Sequence, residues 1–377
     1  MEPRELLKNY DTGKLNVATI GSHSALDICS GAKKYGLGTI AICTPGREQT
    51  YAKHYRTRQK NGRQVGCVDH TIMLESFKQL AEEKTISLLR EKNALFIPHK
   101  TLSAHLSQAQ VESMAVPFFG NRFLLAAEER AGTSKDQSYL FKKAGIPIPE
   151  KFSSPTQIDR LAIVKATDET RGYYERAFFI CSTPEEYGQK SGELLAKGIV
   201  SQAGLQKAVV EEFVVGAQVN FNFFHSPLDG ETELLGTDFR RQTNLDGLLR
   251  IPARQQLELQ ETGFRDTTVE VGHVASTVRE SLLEQSFDAA EKFVKVCAQE
   301  YSPGIIGPFA LQGAIVQKNG REQFVVFDAS LRSPGSPGTR FTPYSHYLYG
   351  EGISTGERIA QEIVRATKEG TLEKIVT

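Results

Sequence analysis

NVATIGSHSALDICSGAKKYGLGTIAICT, residues 16–44, reads as strand, tight turn, helix, glycine stop and strand. Val17, Ala18, Thr19 and Ile20 form a short apolar run rich in β-branched residues, the composition of a buried strand. Gly21, Ser22, His23 and Ser24 make a turn whose small polar side chains can cap a helix beginning near Ala25. Ala25, Leu26, Ile28, Cys29 and Ala32 fall at helical spacing and give one apolar stripe. Gly36 stops the helix behind Lys33 and Lys34, cations at the negative end of its dipole. Residues 39–43 are the second strand, so the unit is a βαβ. A helix start of this kind offers free backbone N–H groups and a partial positive charge to an anion. With side-chain donors from Ser22, His23 and Ser24, the expectation is a phosphate-bearing small molecule seated at residues 21–24. A turn that binds nothing, with His23 as a packing residue, is the other reading of the same residues. The dinucleotide signature G-x-G-x-x-G is absent, because Gly21 is followed by Ser, His, Ser and Ala, and this argues against a Rossmann dehydrogenase.

The chain has 377 residues, 40% of them hydrophobic and 24% charged, which suits a globular protein of two or three domains at about 100–200 residues each. Lys plus Arg number 45, as do Asp plus Glu, so no net field draws nucleic acid or an anionic membrane, and phosphate binding must be local. Cys29, Cys43, Cys67, Cys181 and Cys297 are scattered and form no C-x-x-C pair, which fits reduced thiols better than a disulfide scaffold or zinc site. The polar N-terminus and the lack of any apolar run near about 18 residues lead to the expectation of a cytoplasmic protein without a membrane partner.

Along the chain, residues 1–10 suggest a short amphipathic helix. Residues 44–48, with Arg47, form a loop beyond the carboxyl end of a strand, the usual ligand side of an open α/β sheet. Residues 65–68 read as a strand, 74–92 as a helical stretch and 94–97 as a strand running into the polar loop Pro98, His99, Lys100, Thr101. A long helix is expected over 124–144, ending at Gly145 before the rigid connector Ile146, Pro147, Ile148, Pro149. Beyond it, strands are expected at 162–165, 173–180, 207–215, 217–225 and 233–237, with a helix over 184–197.

A strand bearing Lys165, a Glu-Glu-Phe-Val hinge at residues 211–214 and a late strand carrying a carboxylate together resemble an ATP-grasp ligase. More specifically, the chain resembles the PurP family, formate-dependent synthetases of archaeal purine biosynthesis. The resemblance runs nearly end to end and is carried by ATIGSHSALDICSGAK (18–33), FGNR (119–122), KAGIPIP (143–149), FFHSPLDGETELLG (223–236), TNLDGLLRIPARQQLE (243–258), GIIGPFALQ (304–312) and PYSHYLYGEGISTGERIAQEI (343–363). It implies an α/β and α+β fold, with an N-terminal βαβ (preATP-grasp) domain over residues 1–122 and a two-part ATP-grasp domain over 123–377, its lid at about 150–215. The implied reaction formylates the exocyclic amine of the aminoimidazole carboxamide ribonucleotide (AICAR) with formate and ATP, through a formyl phosphate, giving FAICAR. The implied partners are AICAR, ATP, formate and Mg²⁺, in a homo-oligomer.

By position, the resemblance gives His23, Ser24, Thr101 and Asn244 to the ribonucleotide. It gives Lys165, Arg171, Glu211, Glu212, Phe213 and Val214 to ATP, Gln312 and Asp328 to the metal, and Arg332 and Asp328 to catalysis, with Arg332 as a phosphoryl clamp. The departures gather on the ATP side. A glycine-rich loop is expected after Lys165, where this chain has Ala166, Thr167, Asp168, Glu169, Thr170, Arg171 and Gly172. Tyr139 stands where a lysine is expected, and Asp328 where glutamate is usual. Residues 333–339, SPGSPGT, replace a Gly-Gly-Thr-Asn segment, and Lys100 replaces a glycine. The alternative reading is therefore a divergent paralogue that binds a purine-precursor ribonucleotide with altered or absent ligase chemistry.

Overall fold

In the computed structural model, the described residues are 2–129, 133–167, 176–262 and 268–377. The opening stretch forms the strand Asn16–Ile20, the helix Ala25–Lys34 and the strand Gly38–Cys43. These strands join a four-stranded, wholly parallel sheet in the order His70–Met73, Gly38–Cys43, Asn16–Ile20, Ala94–Phe96. Alternation along the first strand sends Ala18 and Ile20 into one apolar layer with Ile40, Ile42 and Phe96, and Val17 into another with Leu95, Ile28 and Ile359. The sheet is therefore covered on both faces, as parallel sheets require.

Three expected elements are corrected, the stretch 74–92 being a 3₁₀ turn at Phe77–Ala81 and a helix at Glu83–Glu91. The sheet strand lies at His70–Met73, whereas Arg63–Val65 belongs to an exposed hairpin with Arg58–Lys60; apolarity alone mislocated the pairing. The helix expected over 124–144 is interrupted, with helices at Leu124–Glu129 and Gln137–Lys143. The second has a new start, because Asp136 accepts the Tyr139 amide at 2.9 Å as its N-cap.

A small antiparallel sheet follows, Arg176–Cys181, Ala162–Thr167, Val209–Glu212. A five-stranded antiparallel sheet then runs Thr268–Ser276, Glu231–Thr243, Ala217–Ser226, Gly307–Lys318, Arg321–Ser330. One face packs Phe221, Phe223, Phe309 and Phe324 against Phe293 of the helix Leu283–Glu300. Each buried phenyl contributes about 1.5–3 kcal/mol. The last helix, Thr355–Glu369, returns to the first unit, and Thr377 exchanges backbone hydrogen bonds of 3.0 and 3.2 Å with Phe118.

Candidate functional site

The first turn delivers His23 in a left-handed conformation, φ +49°, a cost for a side chain with a Cβ that concentrates at functional positions. Ser24 is buried, and its side chain makes no helix cap, contrary to the expectation from its type. Its hydroxyl instead donates to the Pro334 carbonyl at 2.5 Å, while His23 Nδ1 lies 3.0 Å from Ser24 Oγ. The N-terminal amides of the helix are thereby left without that cap. The His23 ring stacks on His99, with centroids 5.5 Å apart and planes 13° from parallel. His99 is fully buried at the end of the neighbouring strand, its Nε2 2.7 Å from the Ile20 carbonyl. The Thr101 amide donates to His99 Nδ1 at 3.3 Å. Burial holds His99 near pKa 4, with a contribution from Arg332, so it is neutral at neutral pH.

Opposite this turn stands the strand Arg321–Ser330 and the segment after it. The partners across the large sheet place Asp238, Asn220, Gln312 and Asp328 in one row, each paired with the next. Directly opposed residues of antiparallel strands share a face, so four polar side chains form a line across the sheet. Asp238 accepts from Asn220 at 2.8 Å and Asn222 at 2.6 Å, and lies 2.6 Å from His273 Nδ1. Glu270 is 3.6 Å from His273 Nε2. Burial alone would lower the His273 pKa, but the Asp238 and Glu270 carboxylates raise it to about 9, giving an imidazolium at neutral pH. Arg240 Nη2 donates to Gln312 Oε1 at 2.8 Å, and Gln312 Nε2 donates to Ser330 at 2.9 Å. Arg332 pairs with buried Glu128 at 2.8 Å and donates to the Ser333 carbonyl at 3.3 Å. Arg240 Nε, Arg332 Nε and Ser333 Oγ are buried without a hydrogen-bond partner. Such orphans are rare, and anionic oxygens would satisfy them.

In the small sheet, Lys165 and Glu211 lie diagonally on adjacent strands and form a buried ion pair. The hinge residues hold the strand edge: Glu212 and Phe213 donate their amides to Glu150 and Leu161 at 2.8 and 2.9 Å. Asn244 follows the long strand and accepts the Gly247 amide at 3.0 Å, as a turn residue does. Arg171 lies outside the described residues, as do Asp168 and Glu169. Oxygen ligands from Gln312 and Asp328 suit Mg²⁺ in kind, with one lone pair of the Gln312 oxygen already taken by the Arg240 guanidinium. No cluster of three or more His, Cys, Asp or Glu side chains able to hold a metal occurs among the described residues.

The sequence did not single out His99, Arg240, Asp238 or His273. His99 had a usable signal, its place in a polar loop at a strand end. The others are joined only by cross-strand pairing, Arg240 to His273 and Asp238 to Asn220, which spacing does not reveal.

Residues 186–377 match a family described as "Domain of unknown function (DUF1297)", and residues 17–152 one described as "Protein of unknown function (DUF1246)". A Methanopyrus kandleri protein named 5-formaminoimidazole-4-carboxamide-1-(beta)-D-ribofuranosyl 5'-monophosphate synthetase is 37% identical over 374 residues, 99% of this chain and 98% of that protein. Among solved structures, an IMP biosynthesis protein PurP from Thermococcus kodakaraensis superposes with a TM-score of 0.69 at 28% identity, covering 96% of this chain and 100% of the other. An ADP complex of PurK, N5-carboxyaminoimidazole ribonucleotide synthetase, shares the fold at a TM-score of 0.54 and 11% identity, over 91% of this chain and 78% of the other.

Proposed function

We infer function from family: the chain belongs to the PurP family of 5-formaminoimidazole-4-carboxamide ribonucleotide synthetases, with the ATP-grasp fold. It is an ATP-dependent ligase that formylates AICAR to FAICAR in purine biosynthesis, and the alternative of a paralogue without this chemistry has no support in these relatives. In the reaction a formate oxygen attacks the γ-phosphorus of ATP and ADP leaves. The exocyclic amine then attacks the formyl carbon, phosphate leaves and the nitrogen loses one proton.

The observation that carries the assignment of residues is the joining of two halves. The strand that bears Asp328 runs through Arg332 and Ser333 into Pro334, whose carbonyl holds Ser24 at the helix start. A ribonucleotide at His23, Ser24, Thr101 and Asn244 then lies beside the chemistry at Arg332 and Asp328. Arg332, fixed by Glu128, presents its guanidinium to the phosphoryl group and stabilises charge as the acyl phosphate forms and breaks. Lys165, Arg171 and residues 211–214 hold ATP, with Lys165 exchanging Glu211 for phosphate. Gln312 and Asp328 would hold Mg²⁺, which when bound would neutralise phosphate charge.

We take the domains as residues 1–122 and 123–377 with the lid at about 150–215; none of the four sheets among the described residues straddles the 122/123 boundary, which supports this division, and the last helix crosses back to the first domain. We place this enzyme of purine biosynthesis in the cytoplasm on the strength of its relatives; no helix among the described residues is long and apolar enough to cross a membrane. Exposed Phe341, Tyr347 and Leu348 support a homo-oligomer. The decisive experiment measures ADP release with ATP, Mg²⁺, formate and AICAR, omitting each in turn. Release only with all four is expected, with Asp328→Ala abolishing it while AICAR binding persists; release independent of formate or AICAR would overturn the assignment.

A further inference from the structure

The proton positions at His23 follow from the chemistry of its partners. A carbonyl can only accept, so the Ser24 hydroxyl hydrogen is committed to Pro334. Ser24 Oγ then has only lone pairs to offer His23 Nδ1 at 3.0 Å, and that nitrogen must carry a proton. His99 is held the opposite way: Nε2 donates to the Ile20 carbonyl, and Nδ1 accepts the Thr101 amide. Burial, the Arg332 guanidinium and the His273 imidazolium together disfavour a charged His23, with only Glu270 opposing them, so the ring is neutral at neutral pH. Its Nδ1 hydrogen is already used, and its remaining function is the Nε2 lone pair. The ring is also confined: a Cβ on Gly335 would stand 2.3 Å from His23 Cε1, so the chain admits only glycine beside it.

We propose that His23 recognises its ligand as a hydrogen-bond acceptor, its Nε2 receiving an N–H or O–H from the uncharged part of the ribonucleotide, with Ser24 the positioning residue that sets this tautomer through Pro334. This rests on the ribonucleotide reading above and reverses the expectation that His23 lends a donor to phosphate. A lone pair repels a phosphate oxygen, whereas it suits an amine, a carboxamide N–H or a ribose hydroxyl. The segment 333–339, which departs from the family pattern, thus acts on the ribonucleotide side by holding the tautomer of His23.

Two measurements test it. In ¹⁵N-histidine-labelled protein without ligand, the eight histidines are read by long-range ¹H–¹⁵N spectra, and His23 is assigned by the loss of its signals in His23→Gln. A neutral Nδ1–H ring from pH 6 to 8 is expected, released to mixed tautomers in Ser24→Ala and restored in Ser24→Thr. An Nε2–H ring or an imidazolium at His23 overturns the proposal. Binding of AICAR and of its riboside, which lacks the phosphate, is then compared between wild type and His23→Ala. Loss by the same factor for both, roughly 2- to 10-fold as for one neutral hydrogen bond, is expected. A loss seen with the ribonucleotide that vanishes with the riboside makes His23 a phosphate reader and overturns it. If wild type binds neither compound, the ribonucleotide reading fails together with the ligand half of this proposal, while the tautomer stands or falls on the spectra alone.

Discussion

His273 couples the site to pH. Its folded pKa is raised from 6.5 to about 9, so the pairing with Asp238 and Glu270 contributes its full stability below the unfolded value and loses it as pH rises through about 9. The melting temperature should fall between pH 7 and 9.5, and His273→Gln should flatten that fall. A wild-type curve without slope over this range would show that His273 is not charged in the folded protein. Arg332 gives a second expectation. Arg332→Lys keeps a charge against Glu128 but loses the planar fork, so formate-dependent ADP release should drop about 100-fold, the scale of one preorganised donor, with AICAR affinity kept. Unchanged release would remove Arg332 from the reacting centre. At this scale the sequence revealed residues in turns and motifs, such as His23, Ser24 and Lys165, because turn chemistry and strand ends are local properties. Residues that matter through a partner, such as Arg240 on Gln312 and Glu128 on Arg332, were hidden, because the pairs are separated by 72 and 204 positions and meet only when the sheets form.

Among the elements, the helices at the two ends of the chain explain much of what made the sequence recognisable. The motif STGERIAQEI begins with a capping box: Ser354 accepts the Glu357 amide at 3.2 Å, and Glu357 accepts the Ser354 amide at 3.2 Å. Its glycine sits where the last helix crosses the helix Ala25–Lys34. A Cβ on Gly356 would lie 2.1 Å from the Asp27 carbonyl oxygen, and one on Gly31 would lie 2.2 Å from the Gly356 carbonyl carbon. Both neighbours are backbone and cannot step aside as a side chain would. Asp27 further accepts the Gly356 amide at 2.8 Å, fixing the crossing. Gly31→Ala should therefore destabilise by about 1–3 kcal/mol or more, as overpacking does, despite alanine's better helix propensity. Thermal unfolding of Gly31→Ala against an exposed control, Gly192→Ala, where a Cβ meets nothing, checks this; equal melting temperatures would mean the helices cross less closely. The βαβ unit and the alternating strands at 217–225 and 233–237 were legible because their periodicity is local. The break in the helix expected over 124–144 was not, because Asp136 reads as an ordinary polar helix residue until its side chain is seen to cap the next segment.

Across the whole molecule, the last helix joins the parallel sheet to the large antiparallel sheet through a buried charge cluster. Arg358 makes a bidentate pair with Glu233 at 2.9 Å for both contacts, reaches Glu362 at 2.8 Å and lies 4.1 Å over the Phe224 ring. Ser226 and Tyr349 complete it, donating to Glu362 at 2.6 Å and Glu233 at 2.5 Å. The same helix packs Ile359 and Ile363 into the layer that contains Val17 and Leu95 of the parallel sheet and Phe224 and Leu235 of the large one. Glu233 and Glu362 share Arg358 as their cation, so removing the guanidinium leaves two buried acids with hydroxyl donors but no counter-ion, a loss of about 3–5 kcal/mol. Arg358→Met, which keeps the length of the side chain, should accordingly lower the denaturation midpoint strongly. Because the helix belongs to the cores of both units, the remaining transition should stay single rather than split. With no tryptophan in the chain, circular dichroism and tyrosine fluorescence in urea are the suitable pair of probes. Coincident curves at a reduced midpoint are expected, whereas two separated transitions already in the wild type would mean that the units fold independently and that the charge cluster serves only to orient them.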